Sequence, residues 1–247
     1  MLRIDGGGPD TPFSKRDLVN NFIKIGVFSE FGFIDGAFQG QGRESIVRRF
    51  SSPVLVQLDF AETVTETTRD EIEATTIAYL SRLARTTGHP IRLTQEGGNF
   101  LVAVLDVDAL ASYGPMLQAF APGLEADFAE RMLELDRPDH CVVYTFDDPN
   151  SPNTIDKSVA IIRAEHPKLL REKCLHEEIA QGLGLVNDSP RARPSIFNDD
   201  DEFAYLTYHD EQLLRILYDP RLPLGATPKK ARPVVEVIAS EVLGGAS

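Results

Sequence analysis

Between Ser52 and Asp106 the chain reads as a strand, a long helix and two further strands, and this order constrains the fold most. In SPVLVQLDF, Val54, Val56 and Leu58 alternate onto one face, the period of a half-buried strand. TRDEIEATTIAYLSRLARTTG follows, with Ile72, Thr76, Tyr79, Leu80 and Leu83 forming one apolar helical stripe that Gly88 closes. HPIRLTQ and NFLVAVLD then predict two strands joined by a turn at the intervening Glu-Gly-Gly. Strands and helices interleaved in this way predict an α/β (α+β) fold, a mixed twisted sheet with helices packed on it.

The remaining segments fit that frame. In FSKRDLVNNFIKIGVFSEF, Ser14 and Asp17 stand as a capping pair before Leu18, Phe22 and Ile25, predicting an N-terminal helix. GFIDGAFQGQG reads as a glycine-rich loop. Residues 107–138 hold short helical patterns broken by glycine and proline and are expected to be an insertion. HCVVYTFDD and SVAIIRAE predict two strands around the turn NSPN. PKLLREKCLHEEIAQGLG predicts a motif helix that starts near Pro167 and ends at Gly184. A proline-rich loop leads to a helix in LTYHDEQLLRILYDP, with Thr207 as N-cap and Asp210 in the first turn, and ARPVVEVIASEVLGG predicts a last short helix. These form a smaller C-terminal helical part. Residues 1–11, with their triple glycine, read as a flexible segment preceding one domain over 12–247.

With 25 basic and 38 acidic residues, the formal net charge is −13. Such a chain is not expected to use nucleic acid or an anionic membrane as its main partner. It has no apolar run of transmembrane length, and its N-terminus lacks the apolar stretch of a signal peptide. The two cysteines, Cys141 and Cys174, fit either two buried thiols or one disulfide. Cys141 opens a strand and Cys174 lies one turn before the motif. Packing of that helix beside that strand would bring their Cα atoms within the roughly 7 Å that a disulfide needs.

The stretch CLHEEIAQGLGLVNDSP carries the chemistry. His176 and Glu177 begin an H-E-x-x-H pattern, but Ala180 occupies the second histidine position. One residue further on, Glu177, Glu178, Gln181, Gly184 and Asn187 fill the spacing of H-E-x-x-H-x-x-G-x-x-H, and Asp188 follows. Residues 177 and 181 share a helix face, and a glycine at 184 can turn the chain so that 187 returns to the same centre.

In this register EEIAQGLGLVND resembles the active-site stretch of the metzincin zinc peptidases, with Glu177, Gln181 and Asn187 at the ligand positions. RPSIFND resembles their Met-turn, with Phe197 in place of methionine. LTYHDEQLLRILYD resembles the helix that follows, with Asp210, Leu217 and Tyr218 matching. A longer stretch, from CLHEEIAQGLGLVNDSP through PSIFNDDDEF to ILYDPRL, is similar to a proteobacterial family, domain of unknown function 2927, from about Pro12 onward. That resemblance implies a place in the cell envelope or periplasm and no particular activity.

One carboxylate and two amides form a poor zinc site, so no resident cofactor is expected beyond loosely held zinc or calcium. The leading expectation is a catalytically inactive module that binds a protein or peptide in a degenerate zinc-peptidase cleft, with His176, Gly184, Asp188, Phe197 and Tyr218 around it. The alternative is a metallopeptidase-like hydrolase with an oxygen-ligated metal and Glu178 as general base. A purely local reading makes Glu177, Glu178 and Gln181 a hydrogen-bonded cluster above a packed helix. The acidic run Asn198 to Glu202 lacks EF-hand spacing and reads as a solvated loop.

Overall fold

The computed structural model describes residues 2–34, 37–134, 141–198 and 201–244, with side chains placed outside 30–34 and 37–42. The first helix, α1 (Lys15–Gly26), begins at the expected capping box: Ser14 Oγ accepts from the Asp17 N–H, and the Asp17 carboxylate accepts from the Ser14 N–H. Such a cap contributes about 1 kcal/mol. Leu18, Phe22 and Ile25 are buried against the rest of the chain.

The glycine-rich stretch after α1 forms a hairpin instead of the expected loop. β1 (Phe28–Ile34) pairs antiparallel with β2 (Ala37–Glu44), and the register shifts between Ser29 and Phe31. The glycines hid the two strands, because glycine carries no side-chain period to read.

The main sheet comprises β3 (Arg49–Phe50), β4 (Val54–Phe60), β5 (Ile91–Leu93), β6 (Phe100–Leu105), β7 (Cys141–Asp147) and β8 (Thr154–Arg163). Its order is β5, β4, β6, β8; β3 lies beside the first residues of β8 and β7 pairs with β8. Only β7 runs antiparallel to its neighbour. The sheet is thus mixed, as the order of elements implied. β5 and β6 do not form a hairpin, however; they lie on opposite sides of β4, both parallel to it. All six residues of β6 are buried. That unbroken apolar run is the pattern of a central parallel strand covered on both faces.

α2 (Glu66–Thr87) connects β4 to β5, with Thr65 as N-cap and Gly88 left-handed at φ 67°. The five stripe residues predicted for it are all buried. The insertion holds three short helices: α3 (Val107–Ser112), α4 (Gly114–Phe120) and α5 (Ala126–Met132). α6 (Lys168–Gly182) packs on the sheet, followed by α7 (Tyr208–Tyr218) and α8 (Pro228–Gly244), the last longer than expected at 17 residues. One hydrophobic cluster runs from Leu18 to Ala239.

Residues read as a flexible lead-in are held down. Arg3 forms a parallel bridge with Phe203: its N–H donates to Glu202 C=O, and the Ala204 N–H donates to its carbonyl. The Arg3 guanidinium also pairs with Asp5, Asp10 and Glu202. No helix among the described residues is long and apolar enough to cross a membrane.

Candidate binding groove

α6 lies close to the sheet because Gly182 has no side chain. A Cβ there would lie 2.4 Å from the Phe100 ring. Ser158 Oγ, on β8, donates to the Gly182 carbonyl at 2.9 Å. Cys141, at the start of β7, is joined by a disulfide to Cys174 in the middle of α6, with the Cα atoms 5.8 Å apart. The helix is therefore fastened to both of the last two strands of the sheet.

These attachments fix which way each side chain of α6 points. Cys174, Leu175, Ile179, Ala180 and Leu183 enter the core. Glu177, Glu178 and Gln181 line a groove of about 1130 Å³, with Lys173 beside them and Asp188 beyond the helix end. The groove runs along the whole of β7, and the insertion supplies its other wall, including Leu124, Phe128 and Arg131.

The groove side chains are ordered by one another. Lys173 lies 3.1 Å from Glu177 and 2.8 Å from Asp201. Burial alone would lower the Lys173 pKa, but the two carboxylates outweigh it and hold the ammonium above the usual lysine range. Glu178 is only 4% exposed. Ligand atoms of Glu177, Glu178 and Cys141 fall within 4.8 Å of one another. Cys141 sulfur is already in the disulfide, which leaves two carboxylates at that point. Gln181 donates from its amide to Asp188 Oδ1 at 3.0 Å.

Asn187 turns elsewhere. Its amide donates to the carbonyls of Lys24 and Asp188, both at 2.9 Å, so it ties the chain to the end of α1. Gly184 is where the chain turns, at φ +124°, and a Cβ there would come within 2.3 Å of the Arg48 carbonyl. Both the conformation and the close approach require glycine. Of the positions in the shifted register, 177, 178 and 181 thus share the groove, whereas 184 and 187 build the turn.

Other candidate residues are in the core. The His176 ring lies between Tyr79 and Tyr205, with centroids 3.9 and 4.7 Å away. Its Nδ1 accepts from the Leu206 N–H. Burial, with Arg82 nearby, pushes its pKa down to about 3, so the ring is neutral. Phe197 is fully buried, and its carbonyl accepts from the Ser189 N–H at 2.8 Å. Tyr218 donates to the Leu183 carbonyl at 3.1 Å, and burial raises its pKa. These three support the helix and turn from behind.

Asp210 organises the same region. Its carboxylate accepts from Ser195 Oγ, the Ile196 N–H and the Thr207 N–H, and caps α7. The acidic run is also paired where it is described: Asp201 with Lys173, and Glu202 with Arg3 and Arg193. Residues 199 and 200 lie outside the described residues.

The family model for a protein of unknown function, DUF2927, matches residues 15–237. The chain belongs to the DUF2927 family. No curated protein and no solved structure matches it. The match takes in α1, every strand and the whole of α6 and α7, so the groove of this DUF2927 chain lies inside the family's common region.

Sequence reasoning missed the groove's third component, the edge of β7 that faces away from β8. Ser158 of β8 donates its N–H to Asn99, toward β6. Backbone groups alternate along a strand, so Val159 and Ile161 point toward β7, where they face Tyr144 and Val142. The same alternation directs the N–H and C=O of Val143 and Thr145 away from β8, into the groove. No other strand pairs with that side of β7 among the described residues.

Proposed function

We propose that this chain is a non-catalytic binding module that takes an extended segment of another polypeptide along the edge of β7. The observation that carries this reading is the edge itself. All seven residues of β7 line the groove, none is fully buried, and Val143 and Thr145 turn their backbone groups into it. A strand edge of this kind is completed by another strand, with backbone hydrogen bonds supplying affinity. The excess of carboxylates over cations in the chain makes a nucleic acid an unsuitable occupant.

The finer reading is that the groove descends from a metzincin-type zinc-peptidase cleft. Glu177, Glu178 and Gln181 on its wall and Gly184 at the turn support it. The donor set favours binding without a resident metal: the amides of Gln181 and Asn187 are committed to Asp188, Lys24 and backbone, and zinc or calcium would be held loosely at most. The disulfide supports work in an oxidising compartment such as the periplasm or cell envelope. One observation favours a hydrolase instead: Glu178 is almost fully buried yet reaches the groove wall, where a general base would stand.

The test is Thr145→Pro. Proline removes the outward N–H but leaves the bonds that Tyr144 and Phe146 make to β8. The probe is an end-capped, fluorescein-labelled octapeptide of alternating serine and valine, followed by anisotropy. Thr145→Pro should weaken binding about tenfold, the worth of one well-made hydrogen bond lost beside a displaced strand, while Thr145→Val should bind like wild type. Equal affinity for all three folded proteins refutes the edge reading. Cleavage of the probe, lost in Glu178→Gln, would replace binding by hydrolysis.

A further inference from the structure

The disulfide lies beside two carboxylates, and the four side chains together make a donor set. Cys174, Glu177 and Glu178 stand at i, i+3 and i+4 of α6, so they share one face of the helix. Cys141 meets them from the first residue of β7. One ligand atom from each of Cys141, Glu177 and Glu178 falls within 4.8 Å of the others. The Cys174 sulfur is bonded to that of Cys141. Two sulfurs and two carboxylates therefore converge between one helix and one strand, and both donor types bind tetrahedral zinc.

The thiolate, not the disulfide, is the metal ligand. A dithiol supplies the two electrons needed to free it. Its thiolate attacks the Cys141 sulfur, which lines the groove, and the fully buried Cys174 leaves as a thiolate. The second thiol of the reductant then breaks the mixed disulfide, frees the Cys141 thiolate and leaves the reductant as its own disulfide. The two protons of the dithiol go to solvent when zinc takes both thiolates. Freed sulfurs need separate only to about 3.8 Å, the edge of a tetrahedron with Zn–S bonds of about 2.3 Å. The helix is held against the sheet without the disulfide, by the close fit of Gly182 on Phe100 and by Ser158 Oγ on the Gly182 carbonyl. Glu177 and Glu178 keep the partners they have, Lys173 among them. A carboxylate that gives one oxygen to a metal retains hydrogen bonds through the other, and such partners form the outer shell.

We propose that this chain carries a redox-gated zinc site made of Cys141, Cys174, Glu177 and Glu178. The disulfide closes it, and a dithiol opens it to one zinc ion. Two soft thiolates set it apart from a loosely held oxygen-ligated cation. The site does not depend on strand docking at β7, nor on the shifted register, because Gln181 and Asn187 take no part.

The experiment uses the full chain, reduced by a phosphine, desalted without oxygen and titrated with Zn²⁺ against a chelating dye. The reduced chain should bind one zinc ion with a Kd of about 50 nM or tighter, the weak end for structural zinc, and release about two protons. The oxidised chain should bind it at least about a hundredfold more weakly. Co²⁺ should give a thiolate-to-cobalt charge-transfer band in the reduced chain alone. Glu177→Gln/Glu178→Gln keeps both thiols and should weaken zinc by about a hundredfold, whereas two thiols in a disordered chain would not register that change. Cys141→Ser/Cys174→Ser should bind zinc loosely in either redox condition. Equal affinity of the oxidised and reduced chains, an affinity unchanged by the glutamine pair, or tight binding by the serine pair overturns the proposal. So does a reduced chain that loses its far-UV circular dichroism with zinc present.

Discussion

Lowering the pH should destabilise this protein through His176, and the size of the effect can be worked out. The imidazole is buried between two tyrosines and accepts a backbone N–H at Nδ1. Its pKa falls from 6.5 to about 3 on folding. The unfolded chain therefore binds a proton that the folded chain refuses. Stability from this residue is complete above pH 6.5 and drains away as the pH falls toward about 3. The slope reaches about 1.4 kcal/mol per pH unit between the two pKa values, so acidification from pH 7.5 to 4.5 should cost about 3 kcal/mol. His89, whose pKa burial also lowers, adds to the trend in the same direction. The variant His176→Gln isolates the term, because its amide oxygen can still accept from Leu206. It should start about 1–2 kcal/mol less stable at pH 7.5, having lost the ring stacking, and then follow a flatter curve. With no tryptophan in the chain, far-UV circular dichroism in urea is the suitable readout. Parallel wild-type and variant curves would mean that His176 titrates equally in both states, and its place in the core would be wrong.

The disulfide closes a loop of 33 residues, so Cys141→Ala/Cys174→Ala should lose about 4 kcal/mol on the chain-entropy account. Urea unfolding with and without reductant checks this, and a loss below about 1 kcal/mol for both would show that the bond does not constrain the native chain. The shifted register makes a separate claim. Glu177→His/Gln181→His, the two positions that share the groove wall, should bind zinc more tightly than Ala180→His, because Ala180 faces the core. Competition with a chelating dye decides it, and a tighter Ala180→His variant would refute the register.

Much of the fold was legible because local rules and tertiary packing agree. Ser14 with Asp17, Thr207 with Asp210, and Gly88 each mark a helix end that the structure keeps. The side chains of 177 and 181 share a wall for the reason the sequence suggests, a spacing of four on one helix. The errors came where neighbours in space are distant in sequence. β5 and β6 look like a hairpin until β4 separates them. The status of β7 as an edge depends on β8 being occupied on its other side by β6, which no local pattern records. His176 looked chemically available, but its surroundings come from α2 and from Tyr205. Asn187 satisfies the spacing of a motif and is turned away by a carbonyl on α1, a partner 163 residues upstream.

The clasp at Arg3 has a consequence for the chain as a polymer. Arg3 and Glu202 meet across 199 positions, so the pairing circularises most of the chain. Ring closure on that scale costs about 3 kcal/mol more in entropy than closing the short turn between β7 and β8. The three carboxylates gathered around one guanidinium offset that cost only when both termini of the ring are already positioned by the sheet and α7. The clasp behaves accordingly as a fastener on a finished body: it contributes little to choosing the fold, and it removes a frayed end from the segment that holds Lys173 at the groove.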